Sequence, residues 1–262
     1  MVIAIAGRQN GRIKVCRKSL ARNGQKRFKK NELKPWRVKG WVIPPQKSGE
    51  FVASMERVLD VYKRPYQADY PVVCMDESPK QLIEEQRSPI AMKPGQEARV
   101  DYEYVRNGVV NIFIANEPLR GKRLVEVTES KTKRDWAIFI KRIADQQYPK
   151  AKRITLVMDN FSTHTAGALY ETFEPVEAKR LSDRFEFIFT PRHGSWLNMA
   201  EIELHVLNGQ CLNRHLSTMK KIKDEVRAWQ KQRNNKGRKI NWQFTNNLAR
   251  IKLKRLYPSI HD

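Results

Sequence analysis

Apolar residues at Phe51, Val52, Met55, Val58, Leu59 and Tyr62 recur at helical spacing, so a helix is expected over residues 50–62. Beyond it the period shortens. Residues 72–75 form an apolar run, 99–105 alternate, and 109–115 and 124–127 carry further strand signals, with Asn107-Gly108 expected as a hairpin between two of them. Residues 132–147 return to helical spacing, placing Trp136, Phe139, Ile140 and Ile143 on one face. A strand at 153–158, a short helix from about His164 to Phe173, a strand at 185–190 and a helix from near Leu197 complete the body. Helices are also expected at 220–232 and 247–256.

Three antiparallel strands followed by helix, strand, helix, strand, helix predict an α/β fold: a mixed sheet with helices on both faces. In such a sheet the first and fourth strands lie side by side, with Asp76 and Asp159 at neighbouring strand ends. Residues 1–30 show little periodicity. Residues 31–36 read as the end of a short helix before Pro35, and 41–45 as an extended, proline-stiffened linker. The expected organisation is a basic segment at 1–48, a body at 49–212 and a basic helical extension at 213–262.

Charge sharpens this division. The chain of 262 residues carries 51 Lys and Arg against 28 Asp and Glu, a formal net charge of +23. Residues 1–50 hold 14 basic and 2 acidic side chains, as do residues 214–255, whereas 51–213 hold 23 of each sign. A neutral body between two cationic flanks points to nucleic acid, bound in a salt-sensitive and largely sequence-independent way. An acidic membrane surface fits less well, because neither flank shows a long amphipathic pattern with an aromatic face. Three widely spaced cysteines, Cys16, Cys74 and Cys211, offer neither a disulfide framework nor a Cys-x-x-Cys module, and the chain reads as cytoplasmic.

The candidate chemistry lies in three carboxylates that follow apolar runs or open a helix: Asp76, Asp159 and a glutamate near Leu197. Hard divalent cations take oxygen ligands, and three converging acids can hold two ions for an in-line displacement at phosphorus. Asp76 taken alone also reads as an N-cap. In Asp159-Asn160-Phe161-Ser162-Thr163-His164, Ser162 or Thr163 is available to cap the next helix, which leaves the aspartate for other work. His164 reads either as a group that orients water or phosphate, or as a capping or packing residue. Glu201 and Glu203 both lie near the expected core stripe Leu197, Ala200, Leu204 and Leu207, and spacing alone does not choose between them. Phosphate-loop, nucleophile-elbow and zinc-protease motifs are absent from the sequence.

Four stretches together resemble the bacterial insertion-sequence transposases of the six-thirty family, the prokaryotic branch of the mariner-like Asp-Asp-Glu (DDE) transposases. They are Cys74-Met75-Asp76-Glu77, Met92-Lys93-Pro94-Gly95-Gln96, Met158-Asp159-Asn160 with His164, and His193-Gly194-Ser195-Trp196-Leu197-Asn198-Met199-Ala200-Glu201-Ile202-Glu203. The tail Arg250–Pro258 is similar as well. The resemblance implies a ribonuclease H-like fold and the catalytic, metal-holding triad Asp76, Asp159 and Glu201, which selects Glu201 over Glu203. It implies Mg²⁺ or Mn²⁺, two ions, cleavage of double-stranded transposon-end DNA, strand transfer into target DNA, and a homodimer assembled on DNA in the bacterial cytoplasm at the nucleoid. Glu77, Asn160, His164, His193 and Asn198 are then candidates to support the acids or touch DNA, and Lys252, Lys254 and Arg255 to contact phosphates.

Two departures from the family shape further expectations. The 41 residues between Asp159 and Glu201 exceed the family interval, so an insertion is expected around 171–184. Residues 1–30 do not match the family's DNA-end-recognising helix-turn-helix, so an N-terminally truncated copy is expected. A catalytically silent DNA-binding remnant and a ribonuclease on the same fold are the alternatives.

Overall fold

The computed structural model describes residues 47–99 and 101–259, which lie within one compact unit. The basic segment at 1–48 and the features read at 31–36 and 41–45 therefore fall almost wholly outside the described residues. Helix α1 (Gly49–Tyr62) opens at Ser48, whose hydroxyl accepts from the Phe51 amide, and it buries Phe51, Met55, Val58 and Leu59 as its periodicity requires.

Five strands follow: β1 (Val72–Glu85), β2 (Tyr104–Glu117), β3 (Lys122–Thr128), β4 (Ile154–Met158) and β5 (Phe185–Phe189). Their order is β3-β2-β1-β4-β5, with β1–β2 and β2–β3 antiparallel, and β1–β4 and β4–β5 parallel. The first and fourth strands are neighbours, as expected. β4 is buried at all five positions, the pattern of a parallel strand covered on both faces.

The expected hairpin at Asn107-Gly108 is absent, because β2 runs straight through it. Gln81 and Ile83 of β1 face Val109 and Arg106 of β2, so β2 carries one extra residue there, and Gly108 has φ 102°. This is a β-bulge. An Asn-Gly pair supplies the positive φ that a tight turn and a bulge both need, and only the cross-strand partner distinguishes them. The reversal comes in residues 86–103, where Ile90 pairs with Arg99, Lys93 pairs with Gln96, and Gly95 has φ 76°. Asp76 consequently sits inside a fourteen-residue strand and caps no helix. It lies where pairing with β4, which ends at Cys74, gives way to a two-stranded ribbon.

Helix α2 (Lys133–Arg142) begins with a reciprocal capping box between Thr132 and Asp135 and runs on through a π turn at Ile143–Gln147. Helix α3 (Ala166–Thr172) starts after Thr165, and neither Ser162 nor Thr163 caps it. A helix not foreseen from periodicity, α4 (Pro175–Arg184), fills most of the segment expected to be an insertion, with its proline in the first turn. Then come α5 (Met199–Leu207), α6 (Met219–Lys236), α7 (Asn246–Lys252) and a 3₁₀ turn at Lys254–Leu256.

Helices α2–α4 cover one face of the sheet, packing Trp136, Phe139, Ile140, Leu169 and Leu181 against Met75, Phe113, Leu156 and Met158. Helices α1 and α5–α7 cover the other, where Met55, Leu59, Leu197, Leu207, Val226, Trp229, Leu253 and Leu256 join Cys74, Ile112, Ile114 and Val157. The tail is fixed to α1 by Arg250 and Tyr257 on Glu56, by Asn246 on Asp60, and by the Ser48 amide on the Leu256 carbonyl. Lys252, Lys254 and Arg255 keep their side chains exposed beside the buried Leu253 and Leu256. No helix among the described residues is long and apolar enough to cross a membrane.

Candidate active site

Successive strand residues point to opposite faces, so Asp76 shares the side of Cys74, toward α5, while Glu77 shares the side of Met75, toward α2 and α3. Asp159 directly follows β4, at the C-terminal edge of the parallel strands. Thr190, one residue beyond β5, donates its amide to the Met158 carbonyl and keeps the two strand ends together.

Glu201 arrives on α5. The chain leaves β5 through Pro191, Arg192 and His193, where His193 adopts φ 63°, an unusual conformation for a residue with a Cβ, and stands exposed. Gly194 then passes so near Pro191 that an added Cβ would lie 2.5 Å from its ring. Asn198 caps α5 and also fastens it. Its Oδ1 accepts from the Ala200 amide at 3.1 Å, and its Nδ2 donates to the Met75 carbonyl at 2.7 Å, next to Asp76. Glu201 thus occupies the first turn of a helix stapled to the strand that carries Asp76, where the helix dipole favours a carboxylate.

The acids converge. Burial pushes the Asp76 carboxyl up to about 7; the Glu77 amide donates to it at 2.8 Å and opposes the rise, while the charges of Asp159, Glu77 and Glu201 add to it. A set of oxygen donors that repel one another suits hard divalent cations, so the residues present fit Mg²⁺ or Mn²⁺.

Glu203 has the opposite surroundings. Its carboxylate is fully buried between Arg123 of β3, at 2.7 and 2.8 Å, and Arg233 of α6, at 3.1 Å to each oxygen. Burial alone would raise its pKa, but the two guanidinium groups reverse this and hold it below the usual glutamate value. It is a structural clamp, whereas Glu201, half-buried in the first turn of α5, acts with its charge on Asp76.

His164 is buried against Trp136, stacked at 5.8 Å, with Phe161 in a T-shaped contact at 5.7 Å. Its Nδ1 lies 2.8 Å from Asp159 Oδ1 and its Nε2 lies 3.2 Å from Glu77 Oε2. Burial opposes its protonation, but the two carboxylates prevail and raise its pKa to about 9. Asn160 is exposed at the rim. Three residues with no sequence signal complete the surroundings. Tyr62 donates its hydroxyl to the Leu197 carbonyl at 2.8 Å, Lys131 places its ammonium 3.5 Å from Glu77 and 4.6 Å above the Phe161 ring, and Trp136 backs His164. Lysine, tyrosine and tryptophan at these positions look like ordinary surface and core residues until the fold brings them to the acids.

The model of the DDE superfamily endonucleases matches residues 71–223, the segment that carries all three acids. The chain belongs to the DDE superfamily of endonucleases. No curated protein sequence matches it. Among solved structures, this DDE chain is similar to a Mos1 mariner paired-end complex with Mn, at 16% identity and TM-score 0.53, over 83% of this chain and 67% of that one. A Mos1 strand transfer complex matches at 17% identity and TM-score 0.52, over 90% and 68%. A Mos1 paired-end complex with Mg matches at 17% and 0.51, over 84% and 72%. The DDE endonuclease fold seen here is ribonuclease H-like, as the resemblance implied.

Proposed function

We propose that this DDE endonuclease is a mariner-like transposase of the bacterial six-thirty type, which cleaves transposon-end DNA and joins the freed end to target DNA in the bacterial cytoplasm at the nucleoid. The carrying observation is that Asp159 and Glu201 lie near enough to Asp76 for their charges to act on its carboxyl, with Asn198 tying the helix of Glu201 to the strand of Asp76. Asp76, Asp159 and Glu201 would hold the divalent cations. A bound pair of such ions supplies charge stabilisation to the attacking and leaving oxygens of a displacement at phosphorus. The chain's own part is placement: β1 and β4 fix the two aspartates, and Asn198 fixes the helix that brings Glu201 to them. His193, Asn160 and Lys131 stand at the rim, where a phosphate backbone would pass. The similar Mos1 structures are complexes with a transposon end, with Mn and with Mg, which supports DNA and divalent cations as partners here. Assembly as a homodimer on paired ends is part of the same reading.

Asp159→Asn is expected to abolish Mg²⁺-dependent nicking of transposon-end duplex while leaving DNA affinity within about twofold. Equal nicking by the wild type and the variant in a gel assay would refute the assignment. Binding without nicking by the wild type in both Mg²⁺ and Mn²⁺ would instead make the chain a silent DNA-binding remnant.

A further inference from the structure

His164 is the only buried histidine among the described residues, and it lies just outside the three acids. Trp136 stacks on the ring and Phe161 packs against it at an edge angle, and the two ring nitrogens lie within ion-pair distance of different carboxylates, Nδ1 of Asp159 and Nε2 of Glu77. The second oxygen of Glu77 meets Lys131, whose ammonium also sits over Phe161. Lys131, Glu77, His164 and Asp159 thus form a continuous chain of polar contacts from the β3–α2 loop to the end of β4.

Ligand atoms of Glu77, Asp159 and His164 lie within 4.8 Å of one another, which raises the alternative of a cation among them. The separations argue against it. One ion takes one imidazole nitrogen and sits about 2 Å from each of its ligands. Here the two nitrogens lie 2.8 and 3.2 Å from different carboxylates, ion pairs by distance without hydrogen-bond alignment, and the imidazole itself occupies the space between the acids. The trio is a carboxylate–imidazole–carboxylate bridge. It engages Oδ1 of Asp159.

We propose that His164 is a positioning residue for metal binding, which orients the Asp159 carboxylate, with Glu77 and Lys131 anchoring the far edge of its ring. This rests on the reading of Asp159 as a metal ligand. Groups that hold a ligand in place are worth roughly 10–100-fold in metal affinity. Trp136 and Phe161 pack around the ring, and its Nδ1 holds Oδ1 of Asp159 at 2.8 Å.

The test is calorimetric titration of Mn²⁺ into the full chain, with unfolding temperatures recorded for each variant. His164→Ala is expected to weaken Mn²⁺ binding by about 10–100-fold. His164→Asn, whose amide can take the place of Nδ1 beside Asp159, is expected to restore a large part of that loss. Wild-type affinity in His164→Ala, or equal weakening in the Ala and Asn variants, would overturn the proposal, because a role in packing alone does not distinguish them by an amide. If His164→Ala does not fold, Glu77→Gln takes its place; it should weaken Mn²⁺ binding several-fold, and an unchanged affinity overturns the proposal. Asp159→Asn serves as the control: Mn²⁺ binding equal to wild type there would refute the metal-ligand reading itself.

Discussion

Two glutamates on α5, separated by one residue, illustrate how far a side chain's neighbours decide its work. Glu203 neutralises two guanidinium groups in the interior, and Arg123 is itself almost inaccessible, at 1% exposure of its side chain. Removing one partner of a buried pair leaves an uncompensated charge and costs about 3–5 kcal/mol. Glu203→Gln should therefore lower unfolding free energy by an amount of that order in a urea titration, whereas Glu201→Gln should leave stability nearly unchanged and eliminate nicking. The depressed pKa of Glu203 also fixes a pH dependence. A carboxyl with a lowered folded pKa contributes stability that is fully present above its ordinary value of 4.5 and is lost as pH falls through the folded value. Denaturation midpoints measured from pH 6 downward should fall less steeply in Glu203→Gln than in the wild type.

At the scale of elements, β3 is the sheet edge, and α6 closes part of it with side-chain amides. Asn234 accepts from the Arg123 amide and donates to the Arg123 carbonyl, both at 2.8 Å, and Gln230 accepts from the Val125 amide at 2.6 Å. Gln230 and Asn234 are four residues apart on one helix face, so together they imitate a neighbouring strand. Replacing both with alanine should cost about 1–3 kcal/mol for each strand group left unsatisfied and expose a pairing edge, measurable as a lower denaturation midpoint and concentration-dependent association in ultracentrifugation. The long β1–β2 ribbon belongs to this scale too. The alternating residues 99–105 suggested a strand that in fact begins only at Tyr104, and the apolar run 72–75 marked only the start of a strand that continues to Glu85. Hydrophobic patterning detects strands buried on at least one face, and the outer ribbon is largely exposed, so its pairing left little trace.

For the whole molecule, the basic C-terminal segment has two sides. Leu253 and Leu256 are part of the core beneath α1, while Lys252, Lys254 and Arg255 face outward. Charge-removing substitutions of these three should weaken DNA binding across sequences and flatten the plot of log affinity against log salt by about 0.9 for each phosphate no longer neutralised; an unchanged slope would make the segment a packing element alone. The same segment shows why composition can locate a charged flank without revealing its docking: a +12 stretch reads as polar although a few of its residues complete the core.

The sequence by itself determined the class of fold and allowed the first and fourth strands to be neighbours, because buried strands and helix faces leave short-range periodicities, while the choice of acids rested on a family resemblance. The sequence also located His164 and Asn198 within the motifs of that resemblance, without their contacts. Only the tertiary structure decided that Asn107-Gly108 is a bulge, that Glu203 is clamped by Arg123 and Arg233, that Asn198 joins α5 to β1, and that Lys131, Trp136 and Tyr62 attend the acids. Each of these depends on residues distant in sequence meeting at a few ångströms, and such meetings are set by the packing of whole elements, on which local periodicity is silent.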